Sequence, residues 1–140
     1  MKFSFSSYAL IIGLSLATKS FAVDSKAYID RAASLIEAGE FSLARSYLAP
    51  ALVDPYIAQD LRGKAFYLRG YSYFAQDLQV SSLKDFARAL EFSPNNAAVL
   101  FMVGRAHFEG LGTKTNANLG VDFFRRAAEL GHIGASSYLG

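Results

Sequence analysis

The chain has no cysteine and no tryptophan, two histidines, three prolines, and charged residues at only 19% of its 140 positions. Without cysteine there are no disulfides, no thiolate metal sites, no thiol nucleophile and no acylated lipoprotein cysteine. The basic residues form no cluster larger than Arg125-Arg126. The electrostatic footprint that phosphate-backbone binding requires is therefore missing, and nucleic acid is not expected as a partner. His107 and His132 belong to no H-E-x-x-H motif and no i,i+4 pair, and no serine lies in a G-x-S-x-G context. The acidic residues are scattered singly along polar faces rather than paired for acid–base work. No catalytic residue, metal site or cofactor is expected, and the chain does not read as an enzyme.

Long apolar runs are scarce too. The one near the N-terminus, Tyr8 to Ala17, "YALIIGLSLA", is shorter than the roughly 20 residues a helix needs to cross a bilayer. It follows the positive charge of Lys2 and precedes Ser20-Phe21-Ala22, a small-x-small site of the kind signal peptidase accepts. A signal peptide over residues 1–22, cleaved after Ala22, is the expectation, with no stable membrane span left and a periplasmic or secreted location in a Gram-negative envelope. Cleavage would remove Lys2 and Lys19, so the formal charge of +2 for the whole chain becomes neutrality.

What the chain has in plenty is apolar and aromatic residues: 52% hydrophobic, with eight Tyr and twelve Phe. That composition folds, and the length suits one domain or a short repeat array. Self-similarity is present. Gly70 and Gly104 are 34 residues apart in matching contexts, "FYLRGYSYF" and "LFMVGRAHF". Each is followed by a second amphipathic run, "SSLKDFARALEF" and "NLGVDFFRRAAEL", in which Phe86 with Ala89 and Phe124 with Ala127 keep one spacing. Upstream, Leu48 and Ala51 repeat that spacing, and Ala32 falls where the glycines fall. Small residues recur because closely crossing helices leave no room for larger ones.

The pattern predicts helices over 25–38, 42–53, 55–76, 81–92, 94–109 and 117–130, and no strand. Asp54-Pro55 and Ser93-Pro94 place a capping side chain ahead of a proline, which predicts helix starts there. Gly39 and Gly131 fall where left-handed C-terminal caps stand. Pro50 lies inside the second segment and predicts a kink or stop near Ala49. Gly110 and Gly112 could cradle a phosphate or turn the chain. A phosphate loop would follow a strand, whereas a helix precedes here, so a turn between antiparallel helices is expected.

On these residues the segment 63–96 resembles a tetratricopeptide repeat: Phe66 stands at the position of that pattern's Trp, followed in register by Gly70, Tyr73, Phe86, Ala89 and Pro94. Arg69 and Ser82 replace its usual Leu and Ala, which implies looser packing. Residues 97–132 are similar to a Sel1-like repeat through Val103-Gly104, Gly110, Gly112, Phe123-Phe124 and "RRAAELGH", with His107 and Gly120 in place of Tyr and Ala. A weaker unit at 25–55 rests on "AGEF", Ala44, Leu48 and Ala51, and 133–140 looks like the start of a fourth. The chain thus reads as a piece of a longer array, or as one whose last ten residues dock on another subunit. The resemblance implies an all-α fold, a right-handed α-solenoid of antiparallel helix pairs, with the first helix of each pair lining a concave wall.

Two rows run along the helix around Gly70. Phe66, Gly70 and Tyr73 make one; Tyr67, Tyr71 and Phe74 make another about 100° further round. One row suffices for the partner helix. The second aligns with Ile29, Ala33 and Ile36 before it and with Phe101, Arg105 and Phe108 after it, with Lys64 at its rim. Aromatic and Arg side chains concentrate binding energy. Lys64, Tyr67, Tyr71, Phe74, Phe101, Arg105 and Phe108 are therefore the candidate partner-binding residues. The expected function is an exported scaffold or adaptor that holds a peptide or helix of another protein. The alternative is a structural subunit of an envelope assembly, as some exported Sel1-like proteins are in flagellar motor rings and polysaccharide export.

Overall fold

A computed structural model describes residues 23–140; the expected signal peptide, 1–22, lies outside the described residues. The described chain is all-helical: α1 (Ser25–Glu37), α2 (Phe41–Val53), α3 (Gln59–Phe74), α4 (Gln79–Phe92), α5 (Ala97–Glu109), α6 (Ala117–Glu129) and α7 (Ile133–Leu139), with no strand among the described residues. Each helix packs chiefly on the helices before and after it, and α1 also lies on α3. Three apolar clusters follow one another along the chain. The first joins α1 to α3 around Ile29, Ala32, Leu48 and Ala65; the second holds Phe86, Val99 and Val103; the third holds Leu100, Phe124 and Ala135.

Helix ends are set by local chemistry. The Asp24 carboxylate accepts from the Ala27 amide at 3.0 Å to start α1, and Asn96 and Asn116 accept from Val99 and Leu119 at 3.1 Å each to start α5 and α6. The expected starts at Pro55 and Pro94 are corrected by these contacts. Both prolines sit in turns, and α3 and α5 begin at Gln59 and Ala97. At the second site the Asn96 side chain supplies the cap that Ser93 does not. At the first, Asp54 turns its carboxylate to the Tyr56 amide (2.9 Å) and the Ser25 hydroxyl (2.6 Å), tying the turn to α1 instead of starting a helix.

Pro50 neither stops α2 nor ends it near Ala49: the helix runs on to Val53. The proline removes one donor, and the buried pair Leu48 and Ala51 holds the last turn on the core. At their C-termini α1, α3 and α6 close alike. Glu40, Leu78 and His132 donate across to Leu35, Tyr73 and Ala127 at 2.8 to 3.0 Å, over a left-handed residue at 39, 77 and 131. Two of those residues are the expected glycines; the third is Asp77 (φ 60°), which sequence reading did not single out. Gly110 and Gly112, at φ 76° and 74°, turn the chain between α5 and α6, as expected.

The packing of α3 on α4 and of α5 on α6 uses one device. A Cβ added at Gly70 would stand 2.9 Å from the Phe86 ring, and one at Gly104 would stand 2.8 Å from the Phe124 ring. Each ring thus lies on bare backbone. Both phenylalanines are buried, and truncating a buried Phe to Ala costs roughly 3–5 kcal/mol. Gly120 likewise lets α6 approach Phe108 and the Gly104 carbonyl. At the two positions expected to loosen packing, Ser82 is buried, and the Arg69 guanidinium grips the buried Asp85 carboxylate with two bonds of 2.7 and 2.8 Å. That fork-to-fork geometry satisfies a charge the interior would otherwise reject.

Candidate functional site

Four of the seven candidate residues form one continuous strip. On α3 the Tyr67 and Tyr71 rings lie 6.4 Å apart at 44°, and the Tyr71 and Phe74 rings 6.5 Å apart at 38°. From α5 the Arg105 guanidinium lies 5.2 Å over the Phe74 ring. Tyr67 is half-buried, leaning on Phe86 at 6.0 Å. Burial, with the neighbouring Tyr71 adding to it, pushes its phenol above the usual value of 10.0. Tyr71 is the open member, 38% exposed. Lys64 stands one helical turn before Tyr67, exposed at the end of the strip, its Nζ 3.4 Å from Asp30 on α1.

The Asp30–Lys64 contact spans 34 residues, as does the bond from the Gln76 amide to the Ser42 hydroxyl at 3.4 Å. In this register Ala33, not Ile29, stands opposite Tyr67. Ile29, expected on the inner wall, is instead fully buried at the centre of the first cluster. Its neighbours there include Ala32 and Leu48, while Ala33 and Ile36 of the same expected row are half-buried.

Phe101 and Phe108 flank Arg105 on one face of α5, and both are half-buried. Phe101 stacks on His132 at 4.3 Å and meets Phe124 and Tyr138 at 5.8 and 5.9 Å. Phe108 meets Phe124 and Tyr138 at 5.7 Å each. Both pack against the third cluster with Tyr138 of α7 over them, and Phe101 also packs against the second cluster, as Tyr67 and Phe74 do. His132, besides stacking, accepts the Ala135 amide on Nδ1 at 3.2 Å and so starts α7. His107 lies parallel to Phe123 at 5.9 Å.

Arg105 is not a free cation. Its Nε and Nη2 donate to Glu109 at 2.8 and 3.1 Å, and the Tyr138 hydroxyl donates to the same carboxylate at 2.6 Å. The bond from Arg105 holds the Glu109 carboxyl below its usual value, and Tyr138 adds to that; the reciprocal bonds raise Arg105 and Tyr138. Asp30 is lowered in the same way, first by Lys26 and further by Lys64. Behind Phe74 is an open crevice of about 170 Å³, walled by Ser82, Phe86, Met102, Ala106 and Leu111. Among the described residues no three His, Asp or Glu side chains gather where they could hold a metal ion, and no helix is long and apolar enough to cross a membrane.

Sequence reasoning missed Asp30, Glu109 and Tyr138. Two of them carried a signal: Asp30 precedes Lys64 by the repeat spacing, and Glu109 follows Arg105 by four residues on one helix. Tyr138 carried none, because its reach to Glu109 depends on how α7 returns over α5. Compared with family models and with curated proteins, the chain matches none of either.

Proposed function

We propose that the chain is a protein–protein interaction scaffold, exported and cleaved after Ala22 to work in the periplasm or outside the cell. In this reading it is a right-handed α-solenoid of tetratricopeptide and Sel1-like helix pairs that grips a peptide or helix of a partner protein. The observation that carries it is the Tyr67–Tyr71–Phe74 strip with Arg105 beside it. One aromatic row of α3 serves the α4 contact, and the other stays at the surface with its middle ring open. Rigid aromatic rings with a stacked arginine supply large contact area at little entropic cost. The matched contacts of Gly70 on Phe86 and Gly104 on Phe124, and the 34-residue register of Lys64 with Asp30, support tandem helix pairs. The combined Tyr71→Ala and Arg105→Ala variant should lose partner capture from envelope extracts while keeping its helical circular dichroism. Undiminished capture would refute the strip as the binding face.

A structural subunit of an envelope assembly is the second reading. It is favoured by the open apolar side chains of the α6–α7 end, Leu130, Ile133 and Leu139. Concentration-dependent association that Ile133→Asp abolishes, with partner capture unaffected, would select it.

A further inference from the structure

Tyr138 sits on the α5 end of the aromatic row as a bound side chain would. Its ring stacks on Phe124 at 4.4 Å and meets Phe101 and Phe108 edge-on at 5.9 and 5.7 Å. Its hydroxyl donates to the Glu109 carboxylate at 2.6 Å, and that carboxylate holds Arg105, whose guanidinium lies over Phe74. The seat of Tyr138 thus joins the open strip through Arg105. The helix that delivers the ring is lightly held. Of the seven residues of α7 only Ala135 is buried and five are exposed. Gly134, Ser136 and Ser137 are weak helix formers, and a helix this short has little stability of its own. Three contacts fasten it: Ala135 in the third cluster, Tyr138, and the His132 imidazole, which accepts the Ala135 amide at 3.2 Å and stacks on Phe101 at 4.3 Å. Gly131, left-handed at φ 89°, stands just before them.

Resting on the scaffold reading above, we infer that α7 is a displaceable strap, and that the seat it fills takes a tyrosine side chain of the partner in place of Tyr138. Tyr138 shows what the seat requires. Three phenylalanine rings surround an aromatic ring, and the Glu109 carboxylate accepts a hydroxyl that phenylalanine does not carry. A hydrogen bond to an ionised acceptor is among the stronger ones, so tyrosine is favoured there over a phenylalanine of similar area. With α7 down the seat is full, and a partner meets the α3 strip alone. Segments with few buried contacts open ahead of the whole fold, so the strap lifts without unfolding the rest. A partner tyrosine then competes with Tyr138, and its apparent affinity falls by the fraction of molecules in which the strap is up.

Hydrogen exchange of the α7 amides in the full chain tests the strap without any partner. Exchange over 135–139 should be about tenfold faster than at the buried α5 amides, and faster again by about tenfold in His132→Ala. His132→Asn, whose side chain still accepts the Ala135 amide, should recover most of that difference. Exchange as slow as in α5, or unmoved by His132→Ala, overturns the strap. A labelled synthetic peptide of residues 131–140, supplied in trans, tests the seat. It should bind the His132→Ala chain about tenfold more tightly than the unaltered chain, and its Tyr138→Phe counterpart should bind that variant about tenfold more weakly. Equal binding of the two peptides, or binding of neither, overturns the tyrosine seat. Should His132→Ala lower the helical circular dichroism, Tyr138→Ala, which empties the seat and keeps the cap, serves in its place. Either failure leaves the Tyr67–Tyr71–Phe74 strip as a binding face, whereas absence of any crosslinked partner from position 71 removes the scaffold reading and leaves both measurements readable.

Discussion

The α3–α4 and α5–α6 pairs pack by the same contact and differ in what surrounds it. In both, a glycine of the first helix receives the ring of a phenylalanine from the second, with almost equal clearances at Gly70 and Gly104. Around Phe86, however, the interior carries Ser82 and the Arg69–Asp85 ion pair. Around Phe124 it is aromatic, closed by Phe101, Phe108 and Tyr138. The lesson is that the glycine–ring contact fixes how two helices cross. The residues at its edge differ: Tyr71 on α3 stays exposed, whereas Phe101 and Phe108 on α5 are overlain by Tyr138.

The largest expected effects test the shared contact. Phe86→Ala and Phe124→Ala should each lower stability by roughly 3–5 kcal/mol, read from urea unfolding followed by circular dichroism. A loss at one position but not at the other would break the equivalence of the two pairs. The next effect tests the difference. Arg69→Leu restores the side chain of the tetratricopeptide pattern but strands a buried carboxylate, so it should destabilise by about 3 kcal/mol rather than stabilise. Adding Asp85→Ala should recover most of that loss, because the unpaired charge is gone. If Arg69→Leu alone is neutral, the ion pair is not what organises that interior.

The smallest effect concerns the covered end. The folded-state pKa of Glu109 lies below its ordinary value because Arg105 and Tyr138 donate to the carboxylate. Its contribution is therefore fully present above the unfolded-state value, near 4.5, and is lost as pH falls through the depressed folded-state value. For a pair this exposed it is below about 1 kcal/mol. Glu109→Gln should flatten that part of the acid limb of the stability curve while leaving neutral-pH stability within the same small margin. An acid limb identical in both proteins would show that the Glu109 contacts contribute nothing to folding.

The helices themselves were readable because apolar residues recur at helical spacing and glycines mark their ends: Gly39, Gly110, Gly112 and Gly131 all take the left-handed conformation that only glycine enters freely. The starts at Pro55 and Pro94 were misplaced because two capping signals compete over a few residues. Asn96 reaches the Val99 amide, whereas Ser93 was the nearer match to the proline rule. Of the kink or stop expected at Pro50, the stop is absent: one lost hydrogen bond is weaker than the burial of Leu48 and Ala51 on either side of it.

At the site, Tyr67, Tyr71, Phe74 and Arg105 could be grouped from helical geometry and one repeat spacing. Placing Ile29 on the open side could not succeed, since Ile29 shares the buried stripe of Ala32 and Leu35 on α1. The cover over Phe101 and Phe108 depends on α7, a seven-residue helix whose path no local periodicity dictates. The buried Asp85 reads in sequence as one more solvated acid. Only the arrival of Arg69 from α3 explains it.

The most direct measurement is photocrosslinking in cells from a benzophenone residue placed at position 71, beside a control at exposed Arg125 on α6, with the products identified by mass spectrometry. A discrete partner protein captured at position 71 and absent from the control is the result the scaffold account predicts. The same products from both positions, or none from position 71, would contradict it.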